Sequence, residues 1–391
     1  MKTELPPFRS QMVPLLFLVG IFLLNFLSRI ILSPLMPTVE KDLKMGHDEA
    51  GSLFFMISLG YCVGLLVSGF ISSRLTHRKT ILLSSIALGG AVIFVSISHH
   101  LWMIHFGLIF VGMAAGFYLP SGIATVTELV RPEHWGKAIA IHELAPNLAF
   151  IIAPLLAEAL LGVFSWRGVL MLLGMASMVS GMVFIIFGKG GDFPGEAPNV
   201  STLRTVLKEP SFWIMMALFG LGIGASFAVY AMMPLYLVAE RGMDRTWANT
   251  YVAFSRILTP GSSFLVGWIT DRIGPRKTLM GVFMTAGIVT ILLGLIPGSW
   301  IIPTVFLQSI VATAFFPAGF AALAHIGSTK IKNVAVSLTL PLGFLLGGGV
   351  IAAGIGIMGQ MGSFSLGFIL LGGILLSGIL LARHLKFKKD H

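Results

Sequence analysis

The chain has 391 residues, 56% of them hydrophobic and only 11% charged, with a net charge of +10. A soluble globule carries about 25% charge, so this composition excludes one and leaves lipid as the solvent. The single cysteine, Cys62, excludes an internal disulfide framework and any cysteine-cluster metal site.

A helix needs about 20 apolar residues to cross a bilayer, and twelve runs of that kind follow one another. The first half is predicted to span at 12–36, 50–72, 80–98, 102–126, 138–163 and 166–187. The second half is predicted to span at 211–238, 247–270, 278–296, 300–326, 334–359 and 362–385. The first run is longer than a signal core, carries Arg29 and lacks a small-residue cleavage site, so it reads as a span and not as a cleavable leader. Between the halves, residues 188–210 contain Gly190, Gly191, Pro194, Gly195, Pro198 and Asn199 and read as a cytoplasmic linker. The expected domains are therefore 1–187 and 211–391. Within the linker, Ser201 is placed to N-cap a short surface helix through Lys208, which Pro210 ends.

Lys and Arg resist translocation and accumulate on the cytoplasmic side. With the N-terminus inside, nineteen of the 26 basic residues fall on inside segments and only Lys41, Lys44, Arg167, Arg241 and Arg245 fall outside. Both termini are expected in the cytoplasm, with the chain in the plasma or bacterial inner membrane. The positive charge is thus a topology signal. It is spread over seven short segments and lacks the concentrated basic face that a nucleic-acid partner requires.

Two short charged turns carry an internal repeat. Gly267, Asp271, Arg272, Gly274, Arg276 and Lys277 lie after the second span of the second half, and Gly69, Arg74, Arg78 and Lys79 lie 198 residues earlier. This Gly-xxx-Asp-Arg-x-Gly-x-Arg-Lys hairpin resembles the signature of the major facilitator superfamily, whose members carry solutes across membranes. The first copy departs from it, with Ser73 where Asp is expected and Thr76 where Gly is expected. The resemblance implies an all-α membrane protein of two pseudo-symmetric six-helix bundles, a site near the bilayer midplane between them, and alternating access. It assigns the conformational motif to Gly69, Arg74, Arg78, Gly267, Asp271, Arg272, Gly274 and Arg276. No His-Glu-x-x-His pair, Gly-x-Ser-x-Gly elbow or phosphate-cradling loop occurs in a suitable context. Neither an enzyme nor a cofactor or metal site is expected, and a monomer is.

An ionisable side chain inside a span costs at least about 2.5 to 3.5 kcal/mol on insertion scales, so it marks function by default. Arg29 shares a polar stripe of span one with Asn25 and Ser33 at four-residue spacing. Arg256 lies near the middle of span eight, one turn before Pro260 and Gly261, and the half-chain offset maps it onto Ser58. It is no repeated scaffold residue. A guanidinium offers a planar donor fork suited to two-point capture of a carboxylate, and an Arg in span eight is similar to the substrate-anchoring arginine of monocarboxylate and oxalate-type carriers in the superfamily. Tyr118, Asn147 and Gln308 are further candidates to line the site, with Ser309, Thr313, Phe316, Tyr61 and Tyr230 behind them.

Span five holds Glu143, Asn147, Pro154 and Glu158 at spacings of four, seven and four residues, along one helix stripe. Burial raises a carboxyl pKa and a nearby Arg lowers it, a balance that suits proton coupling by Glu158 and Glu143. The expected function is proton-coupled uptake of a small organic anion, most simply a carboxylate. An exporter of drugs or other amphipathic compounds is the rival, because Ala149, Ala153, Pro154 and Ala157 match, with alanine for glycine, the span-five pattern of drug and proton antiporters.

Overall fold

The computed structural model describes residues 7–197, 206–325 and 329–385. The helix expected from Ser201 begins outside them, as do the basic residues Lys2, Arg204, Lys386, Lys388 and Lys389. Among the described residues all regular structure is helical. In the first half these are α1 (Met12–Ile30), α2 (Leu32–Leu43), α3 (His47–Arg74), α4 (His77–Ile97), α5 (Leu101–Leu129), α6 (Trp135–His142), α7 (Leu144–Leu161) and α8 (Trp166–Phe187). The second half begins with α9 (Pro210–Ile223), a π-helical turn (Gly224–Ala228) and α10 (Val229–Ala239). It continues with α11 (Arg245–Ser255), α12 (Thr259–Ile273), α13 (Pro275–Leu295), α14 (Ile301–Thr313) and α15 (Phe315–Ala324). A second π-turn (Leu345–Val350) joins α16 (Thr329–Phe344) to α17 (Ile351–Gln360), and α18 (Phe364–Arg383) closes the chain.

Consecutive pieces combine into spans, and among the described residues eleven runs are long and apolar enough to cross a membrane. The twelfth, α11 with α12, is broken at Arg256–Leu258. Proline explains the break. Pro260 has no N–H to give to the helix before it but fits the first turn of α12, so the chain stops one helix and starts another.

Packing divides the chain into two compact units, one of Met1–Leu32 with Leu59–Pro198, the other of Ser33–Ser58 with Asn199–His391. Residues 33–58 therefore pack with the second half of the sequence. In the first unit, α4 packs against α5 and α8, and α1 against α5, α7 and α8. In the second, α13 packs against α18 and α14, and α11 against α14. The pairs α4–α8 and α13–α18 share an equivalent close contact. A Cβ built on Gly174 would lie 2.8 Å from the Gly89 carbonyl oxygen, and one on Gly372 would lie 2.6 Å from that of Gly287. Both contacts recur at the offset of 198 residues, and each needs glycine because the backbones meet.

Ala145, Ala149, Ala153 and Ala157 are buried at four-residue spacing on α7, which packs on α1.

Candidate substrate and proton sites

In the second unit the site begins with the π-turn at Gly224–Ala228. One extra residue in a helical turn takes carbonyls out of the regular i to i−4 ladder, and two of them meet side chains here. Gln308 donates Nε2–H to the Ala225 carbonyl at 2.7 Å. Arg256 donates from Nη2 to the Ser226 carbonyl at 3.2 Å and from Nη1 to Ser226 Oγ at 3.4 Å. These are long bonds to neutral oxygens, where a charge-assisted bond runs about 2.7 to 2.9 Å. Arg256 is 3% exposed, and its Cζ stands 5.1 Å from the centroid of the Tyr230 ring. Ser255 Oγ and Ser309 Oγ share a hydrogen bond of 2.8 Å.

Tyr230, Ser255, Arg256, Gln308 and Ser309 line one recess of about 170 Å³, walled by Val229, Met233, Val252 and Val305. The space is too finely divided to seat a water molecule. Its polar side chains are gathered in an apolar surround, and the space between them is closed in this conformation. Of the residues singled out in the sequence, Arg256, Gln308, Ser309 and Tyr230 meet here. The π-turn, Ser226 and Ser255 were not anticipated, and the signal that could have exposed the turn is the glycine-rich run Gly220, Gly222 and Gly224. Its partner is the Gly347–Gly349 run, the second π-turn, where a Cβ on Gly347 would lie 2.6 Å from the Gly224 nitrogen.

The first unit gathers the other candidates. Arg29 is 7% exposed and places its Cζ 3.5 Å from the centroid of the Tyr61 ring, a close cation–π contact. Tyr118 is fully buried, and its hydroxyl donates to the Leu18 carbonyl at 2.8 Å while lying 3.0 Å from His142 Nε2. His142 Nδ1 in turn faces Glu143 Oε1 at 3.4 Å. Phe22 stacks on the His142 ring with centroids 4.5 Å apart. The Tyr118–His142 contact joins two spans 24 residues apart in sequence, and no periodicity announces it. The two asparagines give amide hydrogens to the backbone: Asn25 Nδ2 to the Ala115 carbonyl at 3.2 Å, and Asn147 Nδ2 to the Glu143 carbonyl at 3.0 Å. Glu158 is half-buried, fifteen residues beyond Glu143 on the same span. That separation is about 22 Å at 1.5 Å per residue, so the two carboxyls cannot serve one proton site.

A family model described as Major Facilitator Superfamily matches residues 18–297. The chain belongs to this superfamily. Among curated proteins it is 21% identical over 269 residues to a nitrite extrusion protein of Bacillus subtilis (strain 168), covering 66% of this chain and 65% of that one. It is also 21% identical to a niacin transporter of Acinetobacter baylyi, over 68% of this chain and 69% of the relative. Among solved structures, a bacterial homolog of the human lysosomal transporter Spinster superposes with a TM-score of 0.78 at 17% identity, covering 97% of this chain and 95% of that one. The fold is therefore the twelve-helix major facilitator fold of a multi-pass membrane protein, and the relatives are transporters, not enzymes.

The two superfamily hairpins are built differently. In the second, Gly274 takes φ 85°, a left-handed value that favours glycine, with Pro275 opening α13 behind it. In the first, Thr76 has extended backbone and its side chain accepts from Lys79 N, so an ordinary N-cap replaces the glycine turn. Ser73, in the place of the aspartate, donates to the Phe70 carbonyl at 3.0 Å, and Ser72 donates to that of Gly69 at 3.3 Å. Asp271, Arg272 and Arg276 are exposed, as is Arg74. Arg272 lies 3.8 Å over the Trp268 ring, and a Cβ on Gly267 would meet no described atom within 4 Å. The equivalents Arg78 and Arg276 do the same work. Arg78 donates to the Ile185 and Gly188 carbonyls at 3.0 and 2.9 Å, at the end of α8, and Arg276 donates to the Leu385 carbonyl just past α18. Each places a cation where a helix dipole is negative.

Proposed function

We propose that this chain is a secondary transporter that carries a small planar anion, most simply a carboxylate, across a bacterial inner membrane by alternating access, with uptake driven by protons. Arg256 carries the reading. A permanent cation buried within a span is costly, and its fork rests on the two oxygens of Ser226 at lengths that an anionic oxygen would improve. Tyr230, Gln308 and the Ser255–Ser309 pair then supply polar contacts around the bound anion. The relatives named for nitrite and niacin support an anion. A carboxylate, nitrate and nitrite all present two coplanar oxygens to such a fork.

In the first unit, Arg29, Asn25, Asn147 and Tyr118 belong to the proposed substrate path, and Glu143 and Glu158 are the proposed coupling carboxyls. The hairpin residues are proposed to act in the conformational change, both termini are placed in the cytoplasm, and the working unit is a monomer. A thermal-shift panel on the purified protein tests the substrate class, with nicotinate, lactate, oxalate, nitrate and nitrite set against lipophilic cations. Stabilisation by at least one anion is expected. A response confined to the lipophilic cations would overturn the anion reading in favour of an exporter.

A further inference from the structure

We infer that His142 and Glu143 hold one exchangeable proton between them, so that this pair is the protonation site of the first unit. The reasoning is a hydrogen-bond count. The Leu18 carbonyl can only accept, so its 2.8 Å contact commits the Tyr118 hydroxyl hydrogen to it. The hydroxyl oxygen is then left to accept from His142 across 3.0 Å, which puts a hydrogen on Nε2. The hydrogen bond made by one ring nitrogen sets the state of the other. In a neutral ring Nδ1 is therefore bare, and it faces a carboxylate oxygen at 3.4 Å. Two acceptors that face each other repel, and the repulsion is relieved by a proton between them. It sits either on Nδ1, as an imidazolium facing a carboxylate, or on Glu143, as a carboxylic acid donating to Nδ1. Removing it leaves the pair with one net negative charge, and restoring it leaves the pair neutral.

The surroundings fit an exchanging proton. The His142 side chain is fully buried and stacked under Phe22, so the ring is held in one orientation, whereas the Glu143 side chain is only half covered by protein, at 46% exposed. The elements packed on α6 are α1, α5, α7 and the 3-10 turn Pro132–His134. Their titratable and charged groups are Arg29 on α1, His105, Tyr118 and Glu128 on α5, Glu143 and Glu158 on the α7 segment, and Glu133 and His134 on the turn, with Lys137 on α6 itself. Among the described residues only Tyr118 and Glu143 hydrogen-bond to the ring. Glu143 also lies within electrostatic reach of Tyr61, on which Arg29 rests, so loss of the shared proton places a negative charge near that cation.

The part this proton plays in transport rests on the proposed proton coupling; the protonation itself does not. Full-length protein with ring-15N histidine, reconstituted in lipid without added substrate, tests it by NMR. The His142 signals are assigned from their loss in His142→Gln. Should that variant fail to fold, they are assigned as the ring signals displaced by both Tyr118→Phe and Glu143→Gln. Nε2 is expected to stay protonated at every pH at which the protein is folded, while the Nδ1 signal responds to pH. In Glu143→Gln an amide hydrogen replaces the shared proton, and the Nδ1 response disappears. A bare Nε2, an Nδ1 signal that ignores pH, or an unchanged response in Glu143→Gln would each overturn the inference. Transport into proteoliposomes separates this result from the wider reading: Glu143→Gln should lose proton-driven accumulation of a panel anion while keeping exchange. If no panel anion is carried by the parent protein but the Nδ1 response is present, the anion assignment fails and the proton site stands.

Discussion

Arg256 makes the sharpest residue-level test. Truncating one partner of a buried charged contact costs about 2 to 5 kcal/mol, or roughly thirty-fold to several thousand-fold in affinity. Arg256→Ala is expected to lose that much affinity for the anion that stabilises the parent protein. Arg256→Lys should recover only part of it, since an ammonium keeps the charge and loses the fork. Equal affinity in folded Arg256→Ala, measured by titration calorimetry, would make the residue structural. Tyr118 offers a second case, in stability and not in binding. Phe at this position removes the acceptor of the His142 Nε2–H inside a fully buried cluster, and an unsatisfied buried donor costs about 1 to 3 kcal/mol. Tyr118→Phe should melt below the parent. An unchanged melting curve would mean that the ring donates elsewhere, and the tautomer argument would fall with it.

At the level of elements, the start of the linker is a strap on the first hairpin. His77 N donates to the Phe193 carbonyl at 3.1 Å, Arg78 N to that of Gly191 at 2.8 Å, and Gly195 N to that of Ser72 at 2.8 Å. Gly191, at φ 80°, gives its N–H to Glu128 Oε2 at 2.5 Å. The Arg78 side chain makes two kinds of contact, an ion pair with Asp192 of the strap at 3.0 Å and hydrogen bonds to the carbonyls that end α8. The two contacts differ in weight. Asp192 is 68% exposed, and an exposed pair contributes about 0 to 1 kcal/mol, whereas Arg78 satisfies two carbonyls at a helix end. Arg78→Ala should therefore lower the melting temperature more than Asp192→Ala, and an equal loss in the two variants would show that the ion pair, not the cap, is what the arginine serves. The glycine pairs give the other element-scale test. Gly174→Val forces side-chain atoms into the Gly89 carbonyl, and overpacking of this kind costs about 1 to 3 kcal/mol. Gly281→Val, on α13 where a Cβ meets nothing within 4 Å, is the matched control and should leave the melting temperature near that of the parent.

For the whole molecule, the basic residues predict a topology. In a Cys62→Ser background, cysteines at Lys79 and Lys277 should react with an impermeant thiol reagent only from inside, and those at His100 and Ser299 only from outside. All four positions are exposed, so silence would not be a matter of burial. The reverse pattern would overturn the cytoplasmic placement of the termini.

The sequence by itself determined the solvent, the number of spans, the duplication and the family, because these are carried by composition, run length and a repeated motif that tertiary contacts do not alter. It also marked Arg256, since an arginine in hydrocarbon is conspicuous wherever its neighbours lie. The break that holds Arg256 followed from a local cause, Pro260, and was readable in principle. The partners of these residues were not readable. Nothing in the spacing of Tyr118 and His142, or of Arg256 and Ser226, sets one against the other, because contacts between helices depend on how each helix is turned about its axis. Glu143 and Glu158 occupied one stripe on paper, yet they stand about 22 Å apart along a helix, and Glu143 meets the histidine that precedes it, His142. The π-turns were hidden for a related reason. A helix of the usual period and one with an inserted residue share the same hydropathy, and it is the packing of Gly347 against Gly220 and Gly224, together with the donors of Gln308 and Arg256, that stabilises the irregular turn over the regular one.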